Sequence, residues 1–247
     1  MEVLKKLKKK VRHWILLLPH NIAFNLYKLL FRRSFKKLQN KRSKAIEYNS
    51  SSYKQFDNLK CVFIHIPKNA GVSLNRAVFG NLGGGHQRII DYHLVYSKQE
   101  LDSYFKFAFV RNPWDRLVSA YFFLKEGGMN WKDKMFYEKE LRKFVDFNEF
   151  VCHWVNKKNI HRWIHFVPQY KFVCFHNKIA VDKIYKVEEI NDAIFDIKQK
   201  LNIDFKLEQN NKTKGKDKNY RMYYNKQTRE KVYSVYYKDI IMFNYKF

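Results

Sequence analysis

The sequence predicts an α/β fold: a mostly parallel sheet flanked by helices, P-loop-like at its first strand-to-helix turn, with a basic amphipathic N-terminal helix in front. Two short apolar runs predict the sheet, because residues 61–66 and 107–110 have the length and composition of strands buried in a parallel sheet. Each run is followed at once by a turn and a helical pattern. The crowding of lysine and arginine into residues 1–44 predicts the N-terminal helix.

The amino-acid composition excludes several classes of protein. With 46% hydrophobic and 18% aromatic residues, the 247-residue chain is too apolar to be mainly disordered. Its three cysteines form no CxxC pair, which excludes a disulfide framework, leaves a zinc ribbon unsupported and favours a reducing compartment. The net charge of +26 favours an anionic partner such as nucleic acid, acidic lipid, acidic glycan or a nucleotide with several phosphates.

Half of the net charge lies in residues 1–44, which contain fourteen lysines and arginines and one acid. Apolar residues recur there at the helical period: Val11, Ile15, Leu18, Ile22, Leu26 and Leu29. The uncharged stretch at residues 14–27 is shorter than the roughly 20 residues that span a bilayer. The pattern is typical of a basic helix lying on an anionic membrane surface, although a solvated arm or a helix packed on the domain would give the same sequence. Residues 45–57 are interpreted as a polar linker, so we expect an N-terminal segment at residues 1–57 and a domain at residues 58–247.

The first strand–helix unit has the features of a phosphate site. A turn after residues 61–66 feeds a helix that runs to about Phe79, and the N–H groups of such a turn and helix terminus attract anions. Lys68 adds a cation, Ser73 adds a hydroxyl, and Gly71 allows close approach of the backbone. The lysine precedes the glycine, unlike the Walker pattern, and an ordinary turn with a surface lysine remains the alternative. The predicted site comprises Pro67, Lys68, Asn69, Ala70, Gly71, Val72 and Ser73.

The second unit places an arginine at the carboxyl end of a strand. Arg111 follows residues 107–110, Asn112 is predicted as a helix N-cap and Pro113 as the first helical residue. Ser119 lies about two helical turns beyond Arg111, and an arginine at this edge of a sheet can clamp a phosphate. The alternative is that Arg111 is a structural ion-pair partner of Asp115 and that Ser119 is only a small helical residue.

Together the two units resemble a known family. HIPKNAGVS, followed about forty residues later by FVRNPWDRLVSAY, resembles the PAPS-dependent carbohydrate sulfotransferases, in particular the group of chondroitin 4-O and heparan 2-O enzymes and its bacterial members. The resemblance continues through HFVPQYKF, DKIYKVEEI and the tyrosine-rich end of the chain. It covers the sequence from about residue 59 onward.

The resemblance implies a role for each motif. Lys68 would contact the 5′-phosphosulfate of PAPS and stabilise the departing oxygen, while the backbone of residues 69–73 and the Ser73 hydroxyl hold the phosphate. Arg111 and Ser119 would bind the 3′-phosphate. Val72 stands where relatives usually have threonine, so one hydroxyl is lost.

Histidines supply the candidate acid–base chemistry. His86 follows three glycines and matches the Gly-His that supplies the catalytic histidine in heparan 2-O-like relatives, so we expect it to be the general base rather than an exposed loop residue. His165 is expected either to contact the acceptor or to brace the sheet, and His65 to be a buried structural histidine. The remaining histidines lack metal-ligand spacing, so we expect catalysis without a metal.

The expected activity is transfer of a sulfuryl group from PAPS to a hydroxyl of a glycan or glycolipid. The alternatives are a P-loop nucleotide kinase and a non-enzymatic binder of polyanions or nucleic acid, with nucleic acid the less expected partner. The basic loop at residues 212–218 would close over the adenine or the acceptor, or form a solvated turn. We expect a cytoplasmic protein, peripheral on the cytoplasmic membrane face, rather than a type II membrane protein of the Golgi.

Overall fold

The computed structural model describes residues 2–207 and 219–247; the basic loop at residues 212–218 lies outside the described residues. Its centre is a parallel sheet of three strands: β1 (Cys61–Ile64), β2 (Phe105–Val110) and β3 (Lys183–Lys186). The central strand β2 pairs with β1 on one side and with β3 on the other. A short antiparallel hairpin pairs Cys174–Phe175 with Lys178–Ile179. The prediction of an α/β protein with a parallel sheet is confirmed.

Helices, joined by loops and turns, flank this sheet. In chain order they are α1 (Glu2–Leu16), α2 (His20–Leu30), α3 (Arg32–Ser43), α4 (Lys54–Leu59), α5 (Gly71–Phe79), α6 (Ile89–Tyr92), α7 (Lys98–Ser103), α8 (Pro113–Lys125), α9 (Trp131–Phe136), α10 (Phe147–His153), α11 (Tyr170–Val173), α12 (Ile190–Leu201), α13 (Lys226–Val235) and α14 (Tyr237–Met242). A π-helical turn at Tyr137–Leu141 and 3₁₀ turns at Asn159–His161, Ile164–Phe166, Val187–Glu189 and Tyr220–Tyr223 complete the set.

The strands differ from the predicted ones at their ends. β1 stops at Ile64, two residues before the predicted end, and the chain leaves the sheet ahead of Pro67, which has no N–H to donate to a ladder. β2 starts at Phe105, two residues earlier than predicted. β3 alternates buried and exposed positions only weakly, so periodicity does not predict it.

Two buried clusters fix the ends of β1 and β2. One surrounds the sheet and includes Phe63, Phe107 and Phe109; Tyr53 and Phe56, which fall within the predicted linker, are also buried in it. The other surrounds α8, where buried aromatic rings dominate: Trp114, Tyr121, Phe150 and Trp154. Because packed interiors resist displacement, the loops that leave β1 and β2 are held against rigid supports.

The N-terminal segment forms three helices instead of the single helix predicted. Pro19 has the extended conformation (φ −50°, ψ 141°) and separates α1 from α2, and Phe31 (φ −122°, ψ 42°) separates α2 from α3. The segment packs on the domain, as one of the alternatives predicted: Arg42 of α3 donates to Glu100 of α7 at 2.9 Å. Among the residues described, no helix is both long enough and apolar enough to cross a membrane.

Candidate active site

The loop from β1 to α5 has two residues in the left-handed backbone region. Lys68 has φ 69° and Ala70 has φ 58°, a conformation that costs a non-glycine residue on the order of 1–3 kcal/mol and is enriched at functional sites. Left-handed residues in such a loop turn successive N–H groups toward one side and make a concavity for an anion. The first N–H groups of α5, which starts at Gly71, point out of the same end of the helix.

Gly71 is required for a reason that the sequence does not reveal. A Cβ atom at Gly71 would lie 1.9 Å from Cδ2 of His65, so the missing side chain makes room for the imidazole ring. His65 is buried, and its Nδ1 lies 3.2 Å from Nδ2 of Asn75. The structure thus agrees with the interpretation of His65 as a buried, hydrogen-bonded histidine.

Arg111 brings the second loop into contact with the first. Asn112 caps α8 by accepting from the Trp114 N–H at 3.1 Å, with Pro113 as the first helical residue, as predicted. The Arg111 guanidinium donates from Nε to Asp115 at 2.7 Å and from Nη1 to the Lys68 carbonyl at 3.2 Å. The ion pair with Asp115 therefore exists, and it holds Arg111 beside the Lys68 loop.

The side chain of Gln169 bridges the two loops through hydrogen bonds to Asn69 and Arg111. Its Nε2 donates to the Arg111 carbonyl at 2.8 Å, and its Oε1 accepts from the Arg111 N–H at 2.9 Å and from Nδ2 of Asn69 at 2.7 Å. The backbone N–H of Gln169 donates to buried Asp239 at 2.7 Å, so the bridging side chain is itself anchored. Gln169 lies in the string HFVPQYKF, but nothing local in the sequence marks a glutamine as a bridge between two loops.

Two cationic side chains lie at this site, one in the loop and one buried below it. The Lys68 ammonium sits 3.9 Å from the centroid of the Phe123 ring on α8. Arg116 is buried below the loop and donates from Nε to the Pro67 carbonyl at 3.0 Å, while its Nη2 is buried without a partner. Burial lowers the pKa of Arg116. Ser119 is buried on α8, with 2% of its surface exposed.

His86 has the tautomer that a general base needs. Its Nδ1 lies 3.1 Å from the carbonyl oxygen of His65, and a carbonyl can only accept, so Nδ1 carries the proton and Nε2 keeps its lone pair. Burial, helped by the charge of nearby His165, lowers the pKa of His86 to about 4. The imidazole is therefore neutral at pH 7.

His165 lies next to His86 and is oriented by an aspartate. Its ring centroid is 5.9 Å from that of His86, and its Nε2 is 3.3 Å from Oδ1 of Asp133. Because the carboxylate accepts this hydrogen bond, the lone pair of His165 is on Nδ1, which is buried and has no partner. Burial and the positive charge of Lys68 lower the pKa of His165 in spite of Asp133.

Asp133 is a candidate site residue that no sequence motif marks. It is buried, and it accepts hydrogen bonds from the Met129 N–H at 3.0 Å and from Nε1 of Trp163 at 3.1 Å in addition to His165. Burial alone would raise the pKa of Asp133, but these hydrogen bonds outweigh it and lower the pKa. Asp133 stands 32 residues before its histidine, so no motif connects the two.

The glycine run before His86 is held by the N-terminal segment. The Lys41 ammonium on α3 donates to the Gly84 carbonyl at 3.1 Å, and a Cβ at Gly84 would lie 2.0 Å from Oη of Tyr92. Burial, with a smaller effect of Lys44, lowers the pKa of Lys41 to about 8. The loop that carries His86 is therefore packed rather than open.

A comparison with protein-family models identifies the family to which this chain belongs. The model of the sulfotransferase family matches residues 51–246. This range includes both loops and the histidine cluster of His65, His86 and His165. The chain belongs to the sulfotransferase family. No curated protein and no solved structure matches this sulfotransferase significantly.

Sulfotransferases of this family generally use PAPS as the sulfate donor, and the loops of this sulfotransferase fit such an anion. Lys68 and Arg111 bring two cations to neighbouring loops, and the N-terminus of α5 adds aligned N–H groups. Over residues 2–207 and 219–247, no group of three or more His, Cys, Asp or Glu side chains could hold a metal ion.

Proposed function

We propose that this sulfotransferase moves a sulfuryl group from PAPS to a hydroxyl of a glycan or glycolipid by in-line displacement. The contact between the two motif loops carries the proposal, because Nη1 of Arg111 lies 3.2 Å from the carbonyl of Lys68. A donor with phosphate at both its 5′ and 3′ positions needs cations at two neighbouring points, and these loops supply them.

The protein's part in this reaction is to position the reactants and to neutralise charge, as in phosphoryl transfer. PAPS supplies the sulfuryl group and a phosphate leaving group. Lys68 and the backbone N–H groups of residues 69–73 hold the 5′ phosphosulfate, with the Ser73 hydroxyl. Arg111 holds the 3′-phosphate. The assignment of Ser119 to that phosphate stays a prediction, since its side chain is buried on α8.

Two histidines face the acceptor in this proposal. Nε2 of His86 takes the proton of the acceptor hydroxyl as the sulfuryl group is transferred, which a neutral imidazole with a fixed tautomer is suited to do. Nδ1 of His165 accepts a hydrogen bond from the acceptor and orients it, while Asp133 keeps that nitrogen unprotonated. A buried acceptor atom without a partner is costly unless a ligand satisfies it, which supports this role.

The acceptor class follows from the family resemblance and from charge. A net charge of +26 suits an acidic glycan. The basic N-terminal segment suits a lipid-linked glycan at the cytoplasmic face of a membrane, with the protein in the cytoplasm and peripheral on that face. The kinase alternative lacks the Walker order of residues. The polyanion-binding alternative does not explain why half-buried His86 and buried His165 each keep their lone pair on a fixed ring nitrogen.

The test is transfer of label from PAPS to a panel of glycans and glycolipids, read by mass as an added sulfate. Lys68→Ala should abolish transfer, whereas Lys60→Ala, at the other end of β1, should not. His86→Ala should keep PAPS binding and lower turnover by about 100- to 10,000-fold, the usual contribution of a general base. Exposed His153 provides the matched control, His153→Ala. Full activity of His86→Ala would disprove the assignment of the base, and ATP turnover without PAPS would favour a kinase.

A further inference from the structure

Large apolar side chains are exposed on the first two helices. On α1, Leu7 and Trp14 are seven residues apart and share one face, and on α2 Ile22 and Leu29 do the same. Trp14 is 68% exposed and Leu29 is 58% exposed. Single exposed apolar residues are normal, but a group of this size within one segment indicates an interaction surface. The group comprises Leu7, Trp14, Leu17, Ile22, Leu29 and Leu30.

The other face of the same helices is attached to the domain. Ile15, Leu16, Ala23 and Tyr27 are buried in a cluster around Leu94. Nη2 of Arg12 reaches Asp91 at 3.4 Å, and Nε2 of His20 lies 2.9 Å from the Tyr96 carbonyl. The apolar residues that recur at the helical period therefore lie on two different faces. Ile15 is buried against the domain, whereas Ile22 and Leu29 are exposed.

Basic residues surround the exposed face. A cleft of about 430 Å³ between α2 and α3 is lined by Asn25, Lys28, Leu29, Arg32 and Phe35, so two cations stand beside two apolar side chains. Lys8, Lys9 and Lys10 are exposed on α1. The sequence of residues 1–44 contains Glu2 as its single acid.

We propose that α1, α2 and the start of α3 form a docking surface for a bilayer of anionic phospholipid. The exposed apolar side chains enter the interface between headgroups and acyl chains, and Lys28, Arg32 and their neighbours contact the phosphates. A soluble polyanion would use the cations but leave Trp14 and Leu29 in water. A second copy of the chain would place two strongly positive segments against each other.

This docking surface extends the proposed function. It rests on that function only in so far as the acceptor is a lipid-linked glycan. The N-terminal segment that carries this surface is attached to the loop of His86, since the Lys41 ammonium of α3 donates to the Gly84 carbonyl. Binding to vesicles needs neither PAPS nor acceptor. The docking surface and the transfer reaction can therefore fail independently.

The experiment is co-sedimentation of the full chain with vesicles of phosphatidylcholine alone and of an equimolar mixture with phosphatidylglycerol. We expect binding to the mixed vesicles and little to the neutral ones. Trp14→Ala should weaken binding about tenfold through lost apolar burial, and its matched control is Trp131→Ala, at an equally exposed tryptophan (68%) on α9. Lys28→Glu with Arg32→Glu should weaken it about 30-fold or more, because each basic residue near an anionic surface contributes about fivefold.

The control for charge is Lys134→Glu with Lys139→Glu, which changes two exposed lysines of the domain by the same amount. Thermal melting of every variant confirms that the fold is kept, since all the altered side chains are exposed. Equal binding to both kinds of vesicle, or binding that Trp14→Ala leaves unchanged, would overturn the proposal. Self-association without vesicles that Trp14→Ala abolishes would assign the surface to a second copy of the chain instead.

Discussion

Replacing Gln169 with leucine tests whether the two motif loops act as one site. The substitution keeps a similar volume but removes three hydrogen bonds, two to the backbone of Arg111 and one to the side chain of Asn69. Asn69 keeps its bond to the Phe109 carbonyl but loses the partner of its second N–H, so the loss falls on that N–H and on the N–H and C=O of Arg111. Each backbone group left without a partner costs about 1–3 kcal/mol. Since Arg111 is half-buried, water can hydrogen-bond to part of its freed backbone groups. We therefore expect the free energy of unfolding to fall by about 2–4 kcal/mol.

Urea denaturation measures the loss of stability, and steady-state kinetics with PAPS measures its effect on the site. We expect kcat/KM for the donor to fall about 100-fold under conditions in which Gln169→Leu is folded, because a displacement of about 1 Å in a reacting group has that effect. Gln199→Leu, on the exposed face of α12, is the matched control and should change neither quantity. A Gln169→Leu protein with wild-type stability and kinetics would refute the idea that Gln169 holds the loops together.

Three further predictions concern the histidine cluster. Gly71→Ala should lower the free energy of unfolding by about 1–3 kcal/mol, seen in urea denaturation, because the new methyl group overlaps the His65 ring. Asp133→Asn should lower kcat/KM about 100-fold or more while PAPS binding by calorimetry stays unchanged, because an amide has one acceptor oxygen for the four N–H donors around Asp133 and no longer fixes the proton of His165 on Nε2. The pKa of His86 is lowered to about 4, so its base form is lost only as the pH falls toward that value, and kcat/KM measured from about pH 8 to 5 should show no step near 6.5.

Local patterns predicted the parts of the fold that local chemistry determines. The apolar run at Cys61–Ile64 and the Asn112-Pro113 start of α8 need only their own neighbours to be recognised. The N-terminal helix was predicted as one element because its apolar residues keep the helical period across Pro19. In the structure Pro19 separates two helices, and packing against Leu94 decides which side chains are buried.

The candidate site is recognisable in the sequence only at its motifs. Lys68, Arg111 and His86 stand in recognisable strings of sequence, but Gln169 and Asp133 act over separations of 58 and 32 residues. Gly71 was identified as a residue that lets the backbone approach an anion closely, whereas in the structure its missing side chain makes room for the His65 ring. These roles depend on which elements pack together, which no single stretch of sequence contains.

The hydrogen bond from Lys41 to Gly84 has a consequence for shortened forms of the protein. A chain that begins after residue 44 loses the amine that supports the turn two residues ahead of His86, together with the ion pairs of Arg42. Such a truncation would impair proton transfer even on a freely dissolved sugar. Point changes on the outer face of the first helices, which leave Lys41 in place, separate attachment to lipid from turnover far more cleanly.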